Sequence, residues 1–382
     1  MDGFCCYDGL RLKVRLMCLG VRGGASVTDL GRVGGAGPAG GRYLLLPGTV
    51  TPSTNVPFQG KFVSFSPYSM ERLREGELIG EYLLYEKGKP FLRVGVVEKP
   101  KFFDEKTSDG IPFWKLVALH GTEVIGVTVN KLCAYWSEGI ECGFCAIQQN
   151  IKTHLGKSLA LKSPENIVEV VLAAIKHGVC KHVTLTAGAI RAEDRGLSQF
   201  LPFIRRIREE VSVPIHVQVE PPKNLSDLKK LYYAGADTIG IHIESLDENV
   251  RRKVCPGKAE VSKEKYYEAW KEALKIFGEN QVNTVILVGL GEDEKTTVEE
   301  LENVCSLGVI PLLFPFRPLP RTRMENNPPP KPIYMLKMLL ATASKIRDYG
   351  LRLDANKAGC VRCGACSPIM EALKYGFNIS LE

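Results

Sequence analysis

Three cysteines, Cys133, Cys142 and Cys145, stand in the run CAYWSEGIECGFCAI with the spacing Cx8CxxC. Thiolates are the usual ligands of iron–sulfur clusters, and three of them hold three irons of a cubane while the fourth iron stays open for chemistry. Zinc usually takes a fourth Cys or His, and this loop supplies none. A cubane with an open iron and a structural zinc site with a borrowed ligand are therefore the two readings. Phe144, just ahead of the third cysteine, would screen a cluster from water. A second set, Cys360, Cys363 and Cys366, stands in GCVRCGACS. Here an auxiliary iron–sulfur cluster competes with a zinc knuckle that takes a remote ligand. Ser367, a substrate or a remote cysteine would complete the cluster.

Composition narrows the class. The chain has 382 residues, enough for one large barrel and a smaller appended domain. No export-signal pattern opens MDGFCCYDGLRLKV, so the twelve cysteines read as metal ligands and core thiols of a reducing cytosol, not as a disulfide scaffold. Cys180 and Cys305 fall near strand starts and read as core thiols. Cys5, Cys6, Cys18 and Cys255 read as packing residues or extra ligands. The net charge of +7 is spread along the chain and suits an acidic protein partner. It lacks the dense basic block and aromatic platforms that bind nucleic acid. No apolar stretch approaches the ~20 residues that a membrane span needs.

The elements that must position these residues follow from periodicity. Residues 1–120 read as an N-terminal extension or small β-containing domain. It holds the glycine-rich RGGASVTDLGRVGGAGPAGGR (22–42) and short apolar runs such as YLLLPGTV and LRVGVV. Across 121–350, β-branched runs alternate with amphipathic stretches. The strands are VIGVTV (124–129), HVTLTA (182–187), IHVQVE (215–220), TIGIHIE (238–244), NTVILVG (283–289) and VIPLLFPF (309–316). A helix opens at Ser163-Pro164-Glu165, with an N-cap, a proline at the first position and an acid in the first turn. Others run near 197–211, 224–234, 262–277, 296–307 and 332–349. Six strand–helix units in succession predict an α/β fold, a partial six-unit parallel β/α barrel with right-handed crossovers. Cys133 follows directly on the first strand, so its loop opens at the C-terminal strand ends, where such sheets carry their active sites. Residues 351–382 form a C-terminal cysteine-cluster segment, expected to fold back over the barrel mouth.

Placed after that first strand, the cysteine loop resembles that of radical S-adenosylmethionine (SAM) enzymes, although their usual spacing is Cx3CxxC. The resemblance implies a 4Fe–4S cluster on Cys133, Cys142 and Cys145, with SAM chelating the open iron. It implies cofactor contacts from Phe144 and from Thr186 and Gly188 of TLTAGA (184–189), where the family has a Gly-Gly-Glu segment and this chain lacks the acid. Further contacts are implied for Glu220, ending the third strand, Glu244 of HIES (242–245), Arg252 beside Arg251, and Gly289 of VILVGLGE (285–292). Tyr135 and Trp136 cover the open iron or simply pack. The implied chemistry is reductive cleavage of SAM and hydrogen abstraction by a 5′-deoxyadenosyl radical. No catalytic residue is assigned.

Over its length the chain resembles the biotin-synthase-related branch of that superfamily. The resemblance rests on LGVRGGAS…GGAGP, GIPFWKLVALHG (110–121), the stretched cysteine loop, VCPGKAEVSKEKYYEAW (254–270), PFRPLPRT (315–322) and KAGCVRCGACS (357–367). Two groups share this layout. One is the first component of the archaeal-type two-protein lipoyl synthase. It implies sulfur insertion into an octanoyl chain on a carrier protein, such as the glycine cleavage H protein or a lipoyl domain. An auxiliary 4Fe–4S cluster would supply the sulfur. A second radical SAM component and an electron donor such as ferredoxin would be partners, in the cytoplasm. The other group is a radical enzyme of bacterial nitrilase gene clusters. It implies a small amino-acid-like metabolite, with the second cluster used for electron transfer or substrate anchoring. Outside catalysis stands a zinc-stabilised barrel that only binds a ligand.

Overall fold

The computed structural model describes residues 8–23, 41–73, 81–148, 151 and 159–376. Most of the glycine-rich stretch, with Cys5 and Cys6, lies outside the described residues. The helix Gly9–Leu19 leads into a six-stranded sheet. Its strands are β1 (Arg22–Gly23), β2 (Gly41–Leu45), β3 (Ser53–Pro57), β4 (Tyr68–Arg72), β5 (Glu81–Glu86) and β6 (Lys89–Val96), in the spatial order β1-β4-β5-β6-β2-β3. Leu44, Val56, Met70, Leu84 and Val94 bury one face of this sheet against Leu12 and Leu16 of the helix. That core is separate from the larger one behind it.

The second sheet is curled and has seven strands. β7 (Ala118–His120) is an antiparallel edge, and β8 (Val124–Asn130), β9 (His182–Ala187), β10 (Ile215–Val219), β11 (Thr238–Ile241), β12 (Val282–Val288) and β13 (Ile310–Pro315) run parallel in sequence order. The six expected strands form close to their expected bounds, and helices cover the outer face as α/β packing requires. β7 was not foreseen. It comes from the stretch assigned to the N-terminal part and extends the half-barrel by one strand. The helix Pro164–Lys176 begins as its sequence dictates, with the Ser163 hydroxyl accepting from the Asn166 N–H at 3.3 Å. No helix among the described residues is long and apolar enough to cross a membrane.

The C-terminal cysteine segment corrects an expectation. It closes the floor of the half-barrel, at the N-terminal strand ends, and not the mouth. Asn356 donates to the Asn280 carbonyl at 2.6 Å, and the Lys357 N–H donates to Gln281 at 3.1 Å, just before β12. Thr238, first in β11, donates to the Ala358 carbonyl at 3.2 Å. The Gly359 N–H donates to Nδ1 of His182, first in β9, at 3.1 Å. A side chain on Gly359 would strike the His216 ring at 2.3 Å, and its φ of +87° also demands glycine. These polar strand starts tie the segment down in a way that strand periodicity alone could not reveal.

The segment is held from the other side by the N-terminal part. Lys13 pairs with Glu371 at 2.5 Å, both fully buried, and also donates to the Thr51 carbonyl and hydroxyl at 2.8 and 2.6 Å. The Asn55 N–H of β3 donates to the Ala365 carbonyl at 2.7 Å. Removing one member of a buried ion pair leaves the other charge uncompensated, at a cost of about 3–5 kcal/mol. Lys13→Met is therefore expected to lower unfolding free energy by roughly that amount in urea titrations, and Lys13→Met/Glu371→Leu to recover most of it. A cost within experimental error for the single variant would contradict this role.

Candidate active site

Three strands carry polar residues or glycine at every second position. β9 and its exit read His182, Thr184, Thr186, Gly188; β10 reads His216, Gln218, Glu220; β11 reads Thr238, Gly240, His242, Glu244. With a period of two, these side chains share one face. The register aligns them in rows: Gly126, Thr184, His216 and Thr238, then Thr128, Thr186, Gln218 and Gly240. Glu220 and His242 stand one row higher, so about 13 Å of strand separates the lowest of these rows from the highest. A cavity of about 470 Å³ occupies this interior, within the range of small-molecule sites.

Cys133, Cys142 and Cys145 line the mouth of the cavity, and Cys360 and Cys366 line its floor. At the mouth, the cysteine loop is pinned by backbone bonds: Ala134 N–H to Ala189 O at 2.9 Å, Gly143 N–H to Val254 O at 2.7 Å, and Gly257 N–H to Ile140 O at 3.0 Å. Phe144, Tyr135 and Trp136 line the same space. Burial raises the pKa of Cys145 and Cys133, and the neighbouring Cys142 thiol adds to it in both. Cys255, read as packing or an extra ligand, is fully buried with its thiol hydrogen-bonded to Cys142.

Around them stand two ion-paired carboxylates. Glu220 accepts from the Tyr135 hydroxyl at 2.7 Å and faces Arg195 at 3.7 Å. Glu244 pairs with Lys258 at 2.5 Å. The Glu244 backbone is bent to a φ of +69°, an uncommon state for a non-glycine residue that turns its carboxylate into the barrel. Arg251 lies beneath, fully buried over the Tyr266 ring, and donates to the carbonyls of Lys258 and Val261 at 3.2 and 2.7 Å. It fixes the turn that presents Lys258.

Two expected cofactor contacts lie elsewhere. Arg252 points to solvent with its side chain 73% exposed and pairs with Glu248 at 3.3 Å. It sits on the outer face of the helix Glu248–Val254, whereas its neighbour Arg251 faces inward. Gly289 lies outside the cavity lining. Its φ is +98°, and a Cβ there would meet Pro330 at 2.9 Å. Its N–H donates to Glu292, which caps this strand end. Thr186, Gly188, Glu220 and Glu244 do line the cavity.

At the floor, Gln218 donates to the Cys360 sulfur at 3.5 Å. Cys363 faces Gly121, away from the cavity. Burial, with thiols beside them, pushes Cys360 up to about 12 and Cys366 well above its ordinary value; burial pushes Cys363 up to about 11. Buried neighbouring thiolates repel each other, and a cationic iron core removes that penalty as it displaces the protons. The Ser367 hydroxyl is buried with no hydrogen-bond partner among the described residues. Such an orphan is unusual, and it fits a ligand position beside Cys366. Each set thus has the donor chemistry of an iron–sulfur site. Among the described residues, however, no three ligand groups already converge at metal-binding geometry.

Residues 139–304 match the family model of the radical SAM superfamily, a range that includes Cys142 and Cys145. Among curated proteins, the chain is 25% identical to a bacteriochlorophyllide c C-7(1)-hydroxylase of Chlorobaculum limnaeum, over 65% of this chain and 66% of that protein. It is 26% identical to a biotin synthase of a Hydrogenobaculum strain, over 52% and 58%. It is 27% identical to a lipoyl synthase of Bacillus velezensis, over 44% and 53%. The match spans less than two thirds of each of these relatives. Residues 139–304 of the half-barrel thus carry the radical SAM match, and the chain is similar to biotin and lipoyl synthases. That similarity implies a 4Fe–4S cluster and SAM.

Gly188, at the exit of β9, packs directly on the start of the cysteine loop. A Cβ there would lie 2.4 Å from the Leu132 carbonyl oxygen and 3.0 Å from the Cys133 Cα, both backbone atoms. Gly188→Ala is expected to push the cysteine loop off β9. Iron analysis and electron paramagnetic resonance of the reconstituted variant should show severe loss of the iron–sulfur cluster expected at the mouth. Full occupancy at the mouth would refute this reading.

Proposed function

We propose that the protein is a sulfur-inserting radical SAM enzyme of the lipoyl synthase type, acting on an octanoyl chain held by a carrier protein. The observation that carries this reading is the placement of the two cysteine sets at opposite ends of one cavity. When bound, the cofactors would supply a hydrogen-abstracting radical at the mouth and sulfide at the floor. A substrate carbon lying between them would be reached from both sides without leaving the barrel.

The chain's own residues suit these tasks. Glu220, Glu244, Thr186 and the Gly188 backbone surround the space beside Cys133, Cys142 and Cys145, and would orient the polar parts of SAM. Leu116, Val117, Phe200, Val285, Leu287, Phe314 and Phe316 line other parts of the cavity. They would hold a saturated chain and exclude water. Ser367 would complete the floor cluster as an oxygen ligand, bound less tightly than a thiolate and so releasing sulfide more readily. A second radical component, a ferredoxin-like donor and a cytoplasmic setting belong to the same proposal.

One observation favours a second reading. Thr184, Gln218 and His242 put polar groups along the cavity wall between the two cysteine sets. They would suit a small amino-acid-like metabolite, with the floor cluster as an anchor or electron carrier.

The test is anaerobic incubation of the reduced, reconstituted protein with SAM and an octanoylated carrier, with and without a second radical component. The expected products are 5′-deoxyadenosine and a carrier heavier by sulfur. Cofactor cleavage without any sulfur on the carrier would exclude sulfur insertion and favour the second reading. Cys363→Ala is expected to retain 5′-deoxyadenosine formation and to lose sulfur transfer. Loss of cleavage in that variant would instead make the floor site structural.

A further inference from the structure

Arg317, in the PFRPLPRT run just beyond β13, is a buried cation with no carboxylate beside it. It is 7% exposed and lines the cavity. Its Nη2 donates to the Asn55 carbonyl at 2.7 Å, and its Nη1 donates to Asn55 Oδ1. Both acceptors are neutral. The ionisable groups that act on it are the thiols of Cys366 and Cys18 and the phenol of Tyr43.

Taking a guanidinium out of water is costly unless an anion offsets its charge. The buried Lys13 and Arg251 meet that requirement with Glu371 and Glu248, and the mostly buried Lys258 has Glu244. Among the described residues Arg317 has no such partner; Cys366 of the second cysteine set acts on it, and it lines the same cavity as Cys360 and Cys366. The same residue grips both. Asn55 holds the guanidinium through its side chain and carbonyl, and its N–H donates to Ala365, between Cys363 and Cys366.

We propose that Arg317 is the charge partner of the floor cluster, buried to meet the negative charge of an iron–sulfur centre on Cys360, Cys363 and Cys366. The inference rests on the two-cluster reading above. The N-terminal sheet then has a chemical task, because Asn55 in β3 sets the separation of cation and cluster. A fixed positive charge favours the reduced, more negative state of the cluster and resists its loss to solvent. Arg317 acts through the cluster, as a positioning and charge-balancing residue.

The test uses the full chain with Cys133, Cys142 and Cys145 changed to alanine, so that only the floor site can load. Iron content, the midpoint potential from a redox titration followed by electron paramagnetic resonance, and the rate of iron loss to a chelator are compared with and without Arg317→Gln. The melting temperatures of the apo forms are measured alongside. The parent is expected to bind iron. Arg317→Gln should shift the midpoint to more negative potential and lose iron severalfold faster. The apo form should melt no lower than its parent, since an uncompensated buried charge has been removed. Arg317→Lys should restore most of the loaded behaviour.

If the parent binds no iron, the two-cluster reading falls. If the parent binds iron and Arg317→Gln leaves both midpoint and loss rate unchanged, the charge-partner role falls while the two-cluster reading stands. Should Arg317→Gln fail to load, the lysine variant decides. Loading with a parent-like midpoint supports a charge requirement, and failure with an intact apo melt overturns it.

Discussion

Thiolates crowded together in a low-dielectric interior repel each other and lose hydration, so without a cation they hold their protons. This protein places two such sets at the ends of one cavity, and much of its architecture serves to keep them there. At the mouth, the strand register and a glycine approach seat the cysteine loop on the C-terminal edge of the half-barrel. At the floor, polar strand starts and a buried lysine–glutamate pair hold the second set in place. Metal in place of the protons would make both arrangements favourable.

The consequence is a cavity with a cysteine set at each end. In a half-barrel the C-terminal strand ends usually carry the site and the N-terminal ends serve stability. Here the floor also lines the cavity, because Gly359 lets the C-terminal segment lie flat on His216 and bring Cys360 within reach of Gln218. The N-terminal sheet contributes an edge strand to the same closure. It has its own core, and its strand β3 holds the segment through Asn55.

The strand order and helix bounds were legible because each parallel strand is a short β-branched run between amphipathic helices. The mouth set was legible because Cys133 follows a strand directly. The floor was misplaced because its anchors, His182, Thr238 and Gln281, are single residues far apart in the chain, and nothing in local periodicity links them to Gly359. The alternation H-x-T-x-T, H-x-Q-x-E and T-x-G-x-H-x-E does mark an interior face that is largely polar. Lys258, Gln218 and Arg195 follow from that alternation or from pairing across it. Arg252 was assigned inward in place of Arg251, because adjacent helical residues point in directions about 100° apart and sequence alone does not say which faces the core. Gly289 was assigned to the cofactor by motif, whereas its positive φ serves the turn against Pro330.

Two iron–sulfur centres facing one cavity is the central physical claim, and metal stoichiometry tests it most directly. Anaerobically purified and reconstituted protein should contain about eight irons and a matching amount of acid-labile sulfide per chain, the content of two cubanes. About half that amount, unchanged when Cys360, Cys363 and Cys366 are replaced, or zinc in place of iron at either site, would contradict it.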